Sequence, residues 1–312
     1  MKIVFFGTPD YVLPVVSKLH KTFRTDKLVS PIVAVVTQSP KPTGRKQIVT
    51  YSAVDAWAHQ RKIPVHYDAT ELLIDNVKAD IGVVAAYGAL LPERLVRAFR
   101  YGILVIHPSL LPEFRWGSPV QATIVTGTNP TGVSIIKMDA KFDHGPIISQ
   151  FTEEVLPDDT TGSLRARLFE RSADVLAELI EPFIQGKITP KKQDDSKATF
   201  ASIIKKEDGF ISPEVLKLAL EGKESKDKWP VKFIKDCELT PNAESLNRFI
   251  QAMNPWPCAW TNVKGIGYEE KRLKIISGTV ENGKLALVQV QLEGKEPVTW
   301  DEFMRGYPNA TF

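Results

Sequence analysis

The side chains best suited to proton chemistry are His107 and Asp143. His107 directly follows the apolar run Ile103-Leu104-Val105-Ile106, and Asp143 opens the turn Asp143-His144-Gly145-Pro146. A histidine beside a carboxylate can hold, donate or move a proton near neutral pH. Each residue also has a plain structural reading. A histidine near an apolar run is commonly a satisfied core residue, and aspartate favours turns. The loop His107-Pro108-Ser109-Leu110-Leu111-Pro112 favours chemistry, because a loop of that position is normally polar and this one is apolar. A polar residue beside an exposed apolar loop suits a flat, partly apolar ligand. Spacing alone leaves both readings open.

The elements that must carry these residues follow from the hydrophobic pattern. Residues 2–7, 31–37, 81–86 and 103–106 are short apolar runs separated by helical stretches, including 51–62 and 92–100. That alternation predicts a parallel sheet covered on both faces. Thr8-Pro9 predicts a helix start with Thr8 as cap, and Leu13, Val16 and Leu19 mark one face of that helix. Ligands in such sheets bind at strand carboxyl ends. Three loops in that position stand out: Tyr87 to Pro92, His107 to Pro112, and Phe142 to Pro146. Residues 131–139 and 147–152 read as two further strands, and 160–185 as a long helix. Residues 186–205 are polar and read as a linker. Beyond them, 245–253 reads as a helix, and 258–263, 272–279, 284–292 and 297–300 as short strands of a small barrel. The charged stretch 220–240 reads as an exposed insertion.

Composition sets the outer limits. The chain has 312 residues, 43% hydrophobic and 25% charged, which is globular composition with room for two cores. The net charge is +3, and residues 201–312 carry as many acidic as basic side chains. A nucleic-acid footprint must therefore be local rather than domain-wide. The start Met1-Lys2-Ile3-Val4 runs straight into a strand pattern without a signal or transit leader, and no apolar run approaches the roughly 20 residues that span a bilayer. A cytoplasmic monomer is expected. Cys237 and Cys258 lack metal-ligand spacing and suit a reduced setting, and the scattered histidines offer no ligand cluster, so no metal is expected.

The ordered motifs are more specific. His107-x-Ser109-Leu110-Leu111-Pro112, Gly117-x-Pro119 and Met138-Asp139-x-x-x-Asp143-x-Gly145 together resemble the folate-dependent formyltransferase family. Phe6-Gly7-Thr8-Pro9-Asp10, Ala86-Tyr87-Gly88, Thr131-Gly132-Val133 and Asn254-Pro255-Trp256-Pro257 with Trp260 resemble the branch that works on the methionine of initiator tRNA. Thr37-Gln38 through Lys41-Pro42-x-Gly44-Arg45-Lys46 is similar to the basic loop of that branch. So many motifs in order over most of the chain are not a chance match.

The resemblance implies a Rossmann-like catalytic domain over 1–187 with a mostly parallel sheet, a linker at 188–205, and a tRNA-binding barrel of oligonucleotide-binding type over 206–312. It implies 10-formyltetrahydrofolate as co-substrate and initiator methionyl-tRNA as partner, with His107 and Asp143 catalytic. The pterin would lie against Ala86, Tyr87, Gly88, Leu91, Ser109, Leu110, Leu111 and Pro112. The Leu111–Pro112 bond would be cis. Attack of the amine on the formyl carbon creates an oxyanion, to which a protonated His107 can donate. Asp143 can orient that ring or relay the amine proton. Lys41, Arg45 and Lys46 would meet the tRNA acceptor end, although three nearby basic residues are also what a solvated loop carries. Trp256 and Trp260 can stack on bases, or fix the start of the barrel.

Two positions depart from the family pattern. The family has Asn two residues before the histidine as a second oxyanion donor, where this chain has Val105. It usually has Gly where this chain has Trp116. The alternatives are a formyltransferase for an amino sugar or other small amine, and a folate- or tRNA-binding homologue that has lost catalysis.

Overall fold

The computed structural model describes residues 1–25, 29–43, 47–266 and 270–312. Its strands in the first half are β1 (Ile3–Gly7), β2 (Ile32–Val36), β3 (Lys41–Thr43), β4 (Ile48–Thr50), β5 (Val65–His66), β6 (Ile81–Ala85), β7 (Ile103–His107), β8 (Thr131–Lys137) and β9 (Ile147–Glu153). Among the described residues they form a seven-stranded sheet in the order β5-β2-β1-β6-β7-β8-β9, with β3 and β4 as a separate hairpin. Pairing is parallel from β5 through β7. The strands of this parallel part are apolar on both faces, as the continuous runs predict, and Ile3, Phe5, Phe6, Ile81, Ile103 and Leu104 are fully buried.

β8 differs. It runs antiparallel to β7, with His107 opposite Ser134 and Leu104 opposite Lys137. The end of β8 therefore lies beside the start of β7, where the Met138 amide donates to the Ile103 carbonyl. The loop after β8 does not leave from the carboxyl end of the parallel strands, contrary to the sequence expectation. To reach His107 it must run back along the sheet by about 10 Å, three residues at roughly 3.3 Å each.

The helices of the first half are α1 (Leu13–Thr22), α2 (Ala53–His59), α3 (Glu71–Ile74), α4 (Glu93–Val96), α5 (Pro119–Thr126) and α6 (Thr161–Ile184). The start of α1 corrects the Thr8 cap. A 3₁₀ turn at Asp10–Val12 comes first, and the helix begins at Leu13. The Thr8 hydroxyl instead accepts from the Gln38 amide at 3.2 Å, tying the first strand-end loop to the second. Helix α2 is capped by Ser52, whose hydroxyl accepts from the Asp55 amide. Helix α4 is a single turn, and Arg97 to Tyr101 continue as turns and a bend.

The remaining elements are α7 (Pro213–Leu220), β10 (Trp229–Pro230), β11 (Glu238–Leu239), α8 (Ala243–Met253), β12 (Ala259–Val263), β13 (Lys271–Glu281), β14 (Lys284–Leu292), β15 (Val298–Thr299) and α9 (Trp300–Gly306). Strands β12 to β15 form an antiparallel meander. Register shifts at Ile275–Ser277 and Ser277–Gly278 bend its longest pair, the local device by which a small sheet curls. Helix α8 buries Leu246, Phe249, Ile250 and Met253. The 220–240 stretch is more than an exposed insertion, because Val231, Phe233 and Ile234 are buried. Ala201 bridges Ile234, and the Ser202 amide donates to the Phe233 carbonyl.

The chain forms two compact units that interleave along the sequence. One comprises 1–115, 132–153 and 165–198, and the other 116–131, 154–164 and 199–312. Helix α5 goes with the second unit because it is apolar on nearly all sides and packs on α8. Much of the polar stretch read as a linker, up to Ala198, belongs to the first unit.

One glycine in this frame is fixed by close approach. A Cβ on Gly132 of β8 would lie 2.0 Å from the Phe151 carbonyl of β9 and 2.7 Å from Leu110. Gly132→Ala should lower the thermal unfolding midpoint, with an overpacking penalty of about 1–3 kcal/mol. A midpoint equal to that of the parent chain would show that β8 and β9 can separate at no expense.

Candidate active site

The site is built on β7 and the loop that follows β8. Val105 and His107 are two residues apart on β7 and project to the same face. Val105 lines a cleft of about 460 Å³ together with Ala89, Leu90, Leu91, Val96, Ile136 and Met138. Ala140, Phe142 and the charged Glu93, Arg97, Asp139, Lys141 and Asp143 complete its lining. Apolar walls with a few polar groups at one side are the usual composition of a site for a flat organic ligand.

Asp143 reaches His107 across this arrangement. His107 Nδ1 stands 3.5 Å from Asp143 Oδ1, with the imidazole 6% and the carboxylate 15% exposed. The other ring nitrogen, Nε2, is 3.0 Å from the Phe114 carbonyl, which can only accept, so Nε2 carries a proton and donates there. Both ring nitrogens are thus engaged, and Asp143 is the member of the pair that lines the cleft. This differs from direct donation by the imidazole to a ligand oxygen.

The long return of the Asp143 loop is held by a chain of polar contacts. At its base, the Lys137 amide donates to the Pro146 carbonyl. Gly145 passes so close that a Cβ there would lie 1.9 Å from the Lys137 carbonyl. Asp143 itself has φ of +50°, a left-handed conformation that aspartate tolerates better than most side chains. The Gln193 amide group donates to the Asp143 and Gly145 carbonyls, at 2.8 Å each. Gln193 Oε1 accepts from Arg115 Nε and Nη2 at 3.2 and 2.8 Å. Arg115 is buried, and its Nη2 also donates to Asp195 Oδ1 at 2.7 Å. Asp195 Oδ2 lies 3.2 Å from His144 Nε2, and His144 Nδ1 lies 2.6 Å from Asp139 Oδ2. A buried guanidinium is tolerable only with its donors satisfied, so Arg115 fixes Gln193 as firmly as Gln193 fixes the loop. The hydrogen bond from Arg115, with His144 beside it, holds the Asp195 carboxyl below its ordinary range. A lowered carboxyl stabilises the fold above its ordinary range, and the contribution is lost as pH falls through the lowered value.

The expected ligand-contact residues divide. Leu91 lines the cleft. Ala86 and Gly88 take positive φ in the loop after β6. The Tyr87 ring is buried against Phe6 at 5.8 Å, which raises its hydroxyl pKa and leaves mainly its backbone at the loop. The Tyr87 carbonyl accepts from Gln38 Nε2 at 3.4 Å. Ser109 is buried and donates to the Glu113 carbonyl. The Leu111 amide donates to Ser134 Oγ, and Gln150 Nε2 donates to the Leu111 carbonyl. Leu111 packs with Ile136, Ile147 and Val105, directly against the cleft wall. Leu110 and Pro112 are half-buried in the same loop, and the Leu111–Pro112 bond is cis. Lys41 is exposed on β3, whereas Arg45 and Lys46 lie outside the described residues. Trp260 donates to the Lys206 carbonyl and lies between Phe210 and Arg272, a structural role.

Gln193, Asp195 and His144 were not foreseen as site residues. His144 was visible in the Asp143 turn, but nothing in a polar stretch distinguishes Gln193 from its neighbours.

Residues 1–180 match the family described as formyl transferase. The chain belongs to the formyl transferase family. Along 98% of its length it is 33% identical to the methionyl-tRNA formyltransferase of Bacillus velezensis, covering 94% of that protein. In fold it is similar to the methionyl-tRNA formyltransferase of Clostridium thermocellum, at TM-score 0.56 and 18% identity over 94% of this chain and 98% of the other. It is also similar to an N-formyltransferase of Helicobacter canadensis in complex with folinic acid and dTDP-3-aminofucose, at TM-score 0.61 and 16% identity over 90% and 88%.

The clamp generates a direct test. Gln193→Ala removes both donors to the Asp143 loop, and at about 1 kcal/mol per hydrogen bond kcat should fall roughly tenfold or more. Affinity for the amine acceptor should be unchanged. An unaltered kcat in a folded variant would show that the loop is held without Gln193.

Proposed function

We propose that this enzyme formylates the α-amine of methionyl-tRNA, in the cytoplasm, with 10-formyltetrahydrofolate as donor. The observation that carries the reading is the His107–Asp143 pair, held with Asp143 facing an apolar cleft. The acceptor follows from the match to methionyl-tRNA formyltransferase over nearly the whole of both chains.

The residues present fit the folate. Leu90, Leu91, Val105, Ile136 and Met138 offer a surface for the pterin, with Ala86 to Gly88 and Ser109 to Pro112 shaping its surroundings. When bound, the folate supplies the formyl group. Asp143 accepts a proton from the amine as the new C–N bond forms and returns one to the departing nitrogen, directly or through water. His107 holds the carboxylate in place from a ring anchored on the Phe114 carbonyl. Val105 contributes no donor to the oxygen that develops charge. An oxyanion donor is worth about 2.7–4 kcal/mol, so a wild-type site without one runs below its attainable rate unless another group donates.

Lys41, Arg45 and Lys46 engage the acceptor end of the tRNA, and the barrel at 206–312 supports the RNA beyond it. Lys41 is exposed on β3 as that role requires. An amino sugar is the competing acceptor, on the fold likeness to the Helicobacter canadensis enzyme alone.

The test is formylation of methionyl-tRNA against a nucleotide-linked amino sugar at equal folate. The tRNA should give the higher kcat/KM, and replacing Lys41, Arg45 and Lys46 with Ala should flatten its salt dependence, because fewer counterions are released. A preference for the sugar would refute the acceptor assignment. For the donor question, Val105→Asn should raise the single-turnover rate by up to about 10²-fold. An unchanged rate would mean that position 105 is not a vacant donor site.

A further inference from the structure

The chain leaves the buried Arg115 through Trp116, and Trp116 has φ of +84°. Only glycine adopts that conformation without strain, and a strained bulky residue persists where its surroundings hold it. The indole is not hidden in a core. Trp116 is 45% exposed and lies against Phe200, ring centroids 4.6 Å apart at 42°. Lys235 Nζ stands 5.8 Å from the Phe200 ring.

The backbone around this cluster is well braced. The Ser118 amide donates to the Ala201 carbonyl, and the Ile204 amide to Ser118 Oγ. The Lys235 amide donates to the Phe200 carbonyl. Residues 200–206 and 231–235 therefore form one small platform with Trp116 at its edge. Those two segments contain Lys205, Lys206, Lys232 and Lys235, all exposed, and no acidic residue. Glu207, Asp208 and Asp236 follow these segments directly, and residues 201–312 as a whole carry equal numbers of acidic and basic side chains, so the basic excess is confined to the two segments themselves.

We infer that Trp116 and Phe200, flanked by Lys235, form a stacking platform for an unpaired base of the acceptor end of the tRNA substrate. An exposed aromatic face with a lysine beside it complements a single-stranded nucleic acid, whose bases stack and whose phosphates are anionic. The inference also gives the 220–240 segment a function, since that segment supplies Lys232 and Lys235. It rests on methionyl-tRNA being the acceptor.

The experiment is steady-state formylation of methionyl-tRNA by Trp116→Gly, Trp116→Phe and Lys235→Gln. Glycine suits the backbone at 116 and removes the ring, so it should raise the KM for tRNA about tenfold with kcat and the KM for folate retained. Phenylalanine should restore most of the lost affinity, a rescue that a purely structural role of the indole would not show. Lys235→Gln, at an exposed position, should make the salt dependence of kcat/KM shallower. An unchanged KM in Trp116→Gly, an equal loss in Trp116→Phe, or an unaltered salt slope in Lys235→Gln would overturn the platform. A parent enzyme that formylates no methionyl-tRNA would overturn the acceptor assignment itself, and that result is seen before any variant is compared.

Discussion

Asp143 meets His107 only because a loop is forced to double back. β8 is antiparallel to β7, so its end lies beside Leu104 and Ile103 rather than beside His107. The nine residues from Met138 to Pro146 must return along the sheet and stay there. Their backbone is pinned at the base by the Lys137–Pro146 hydrogen bond and near the tip by Gln193, which is itself held by the buried Arg115. The cleft, the orientation of the carboxylate and the His107–Asp143 pair all depend on that return.

The clamp has a consistent energetic logic. Burying a guanidinium is unfavourable unless its donors are used, and Arg115 uses them on Gln193 and Asp195. Gln193 passes the constraint on as two hydrogen bonds to carbonyls on either side of His144. His144 closes the circuit between Asp139 and Asp195. Each member is satisfied by the next, so the positive-φ conformation of Asp143 is held from several directions at once. Rigid support of this kind is what a proton-transfer group needs, since small displacements of a reacting group are expensive in rate.

Much of this was legible in the sequence, for identifiable reasons. The parallel strands are continuous apolar runs, and β1, β2, β6 and β7 fall where those runs lie. The long helix α6 has an uninterrupted helical period, and it spans 161–184 against an expectation of 160–185. His107 and Asp143 carried both residue type and motif order. The Thr8 cap failed because its hydroxyl serves the Gln38 amide instead of a helix end. The direction of β8 was not legible, since an apolar strand reads the same in either direction. Nor was Gln193, because its role depends on which buried groups meet it and not on its neighbours in sequence. Val105 shows the opposite case. It was singled out as a departure from the family pattern, where a donor is expected, and the structure adds that it lines the cleft.

The central claim is that Asp143, seated on His107 and facing the cleft, moves the proton during formyl transfer. Single-turnover formylation of methionyl-tRNA by Asp143→Asn, with enzyme and folate saturating, isolates that step. The substitution keeps shape and leaves the clamp on the backbone carbonyl intact, while removing the proton acceptor. The account predicts a chemical rate lower by about 10²–10⁴-fold, the usual range for a general acid–base group, with tRNA affinity unchanged. A rate within a few-fold of the parent enzyme would contradict it.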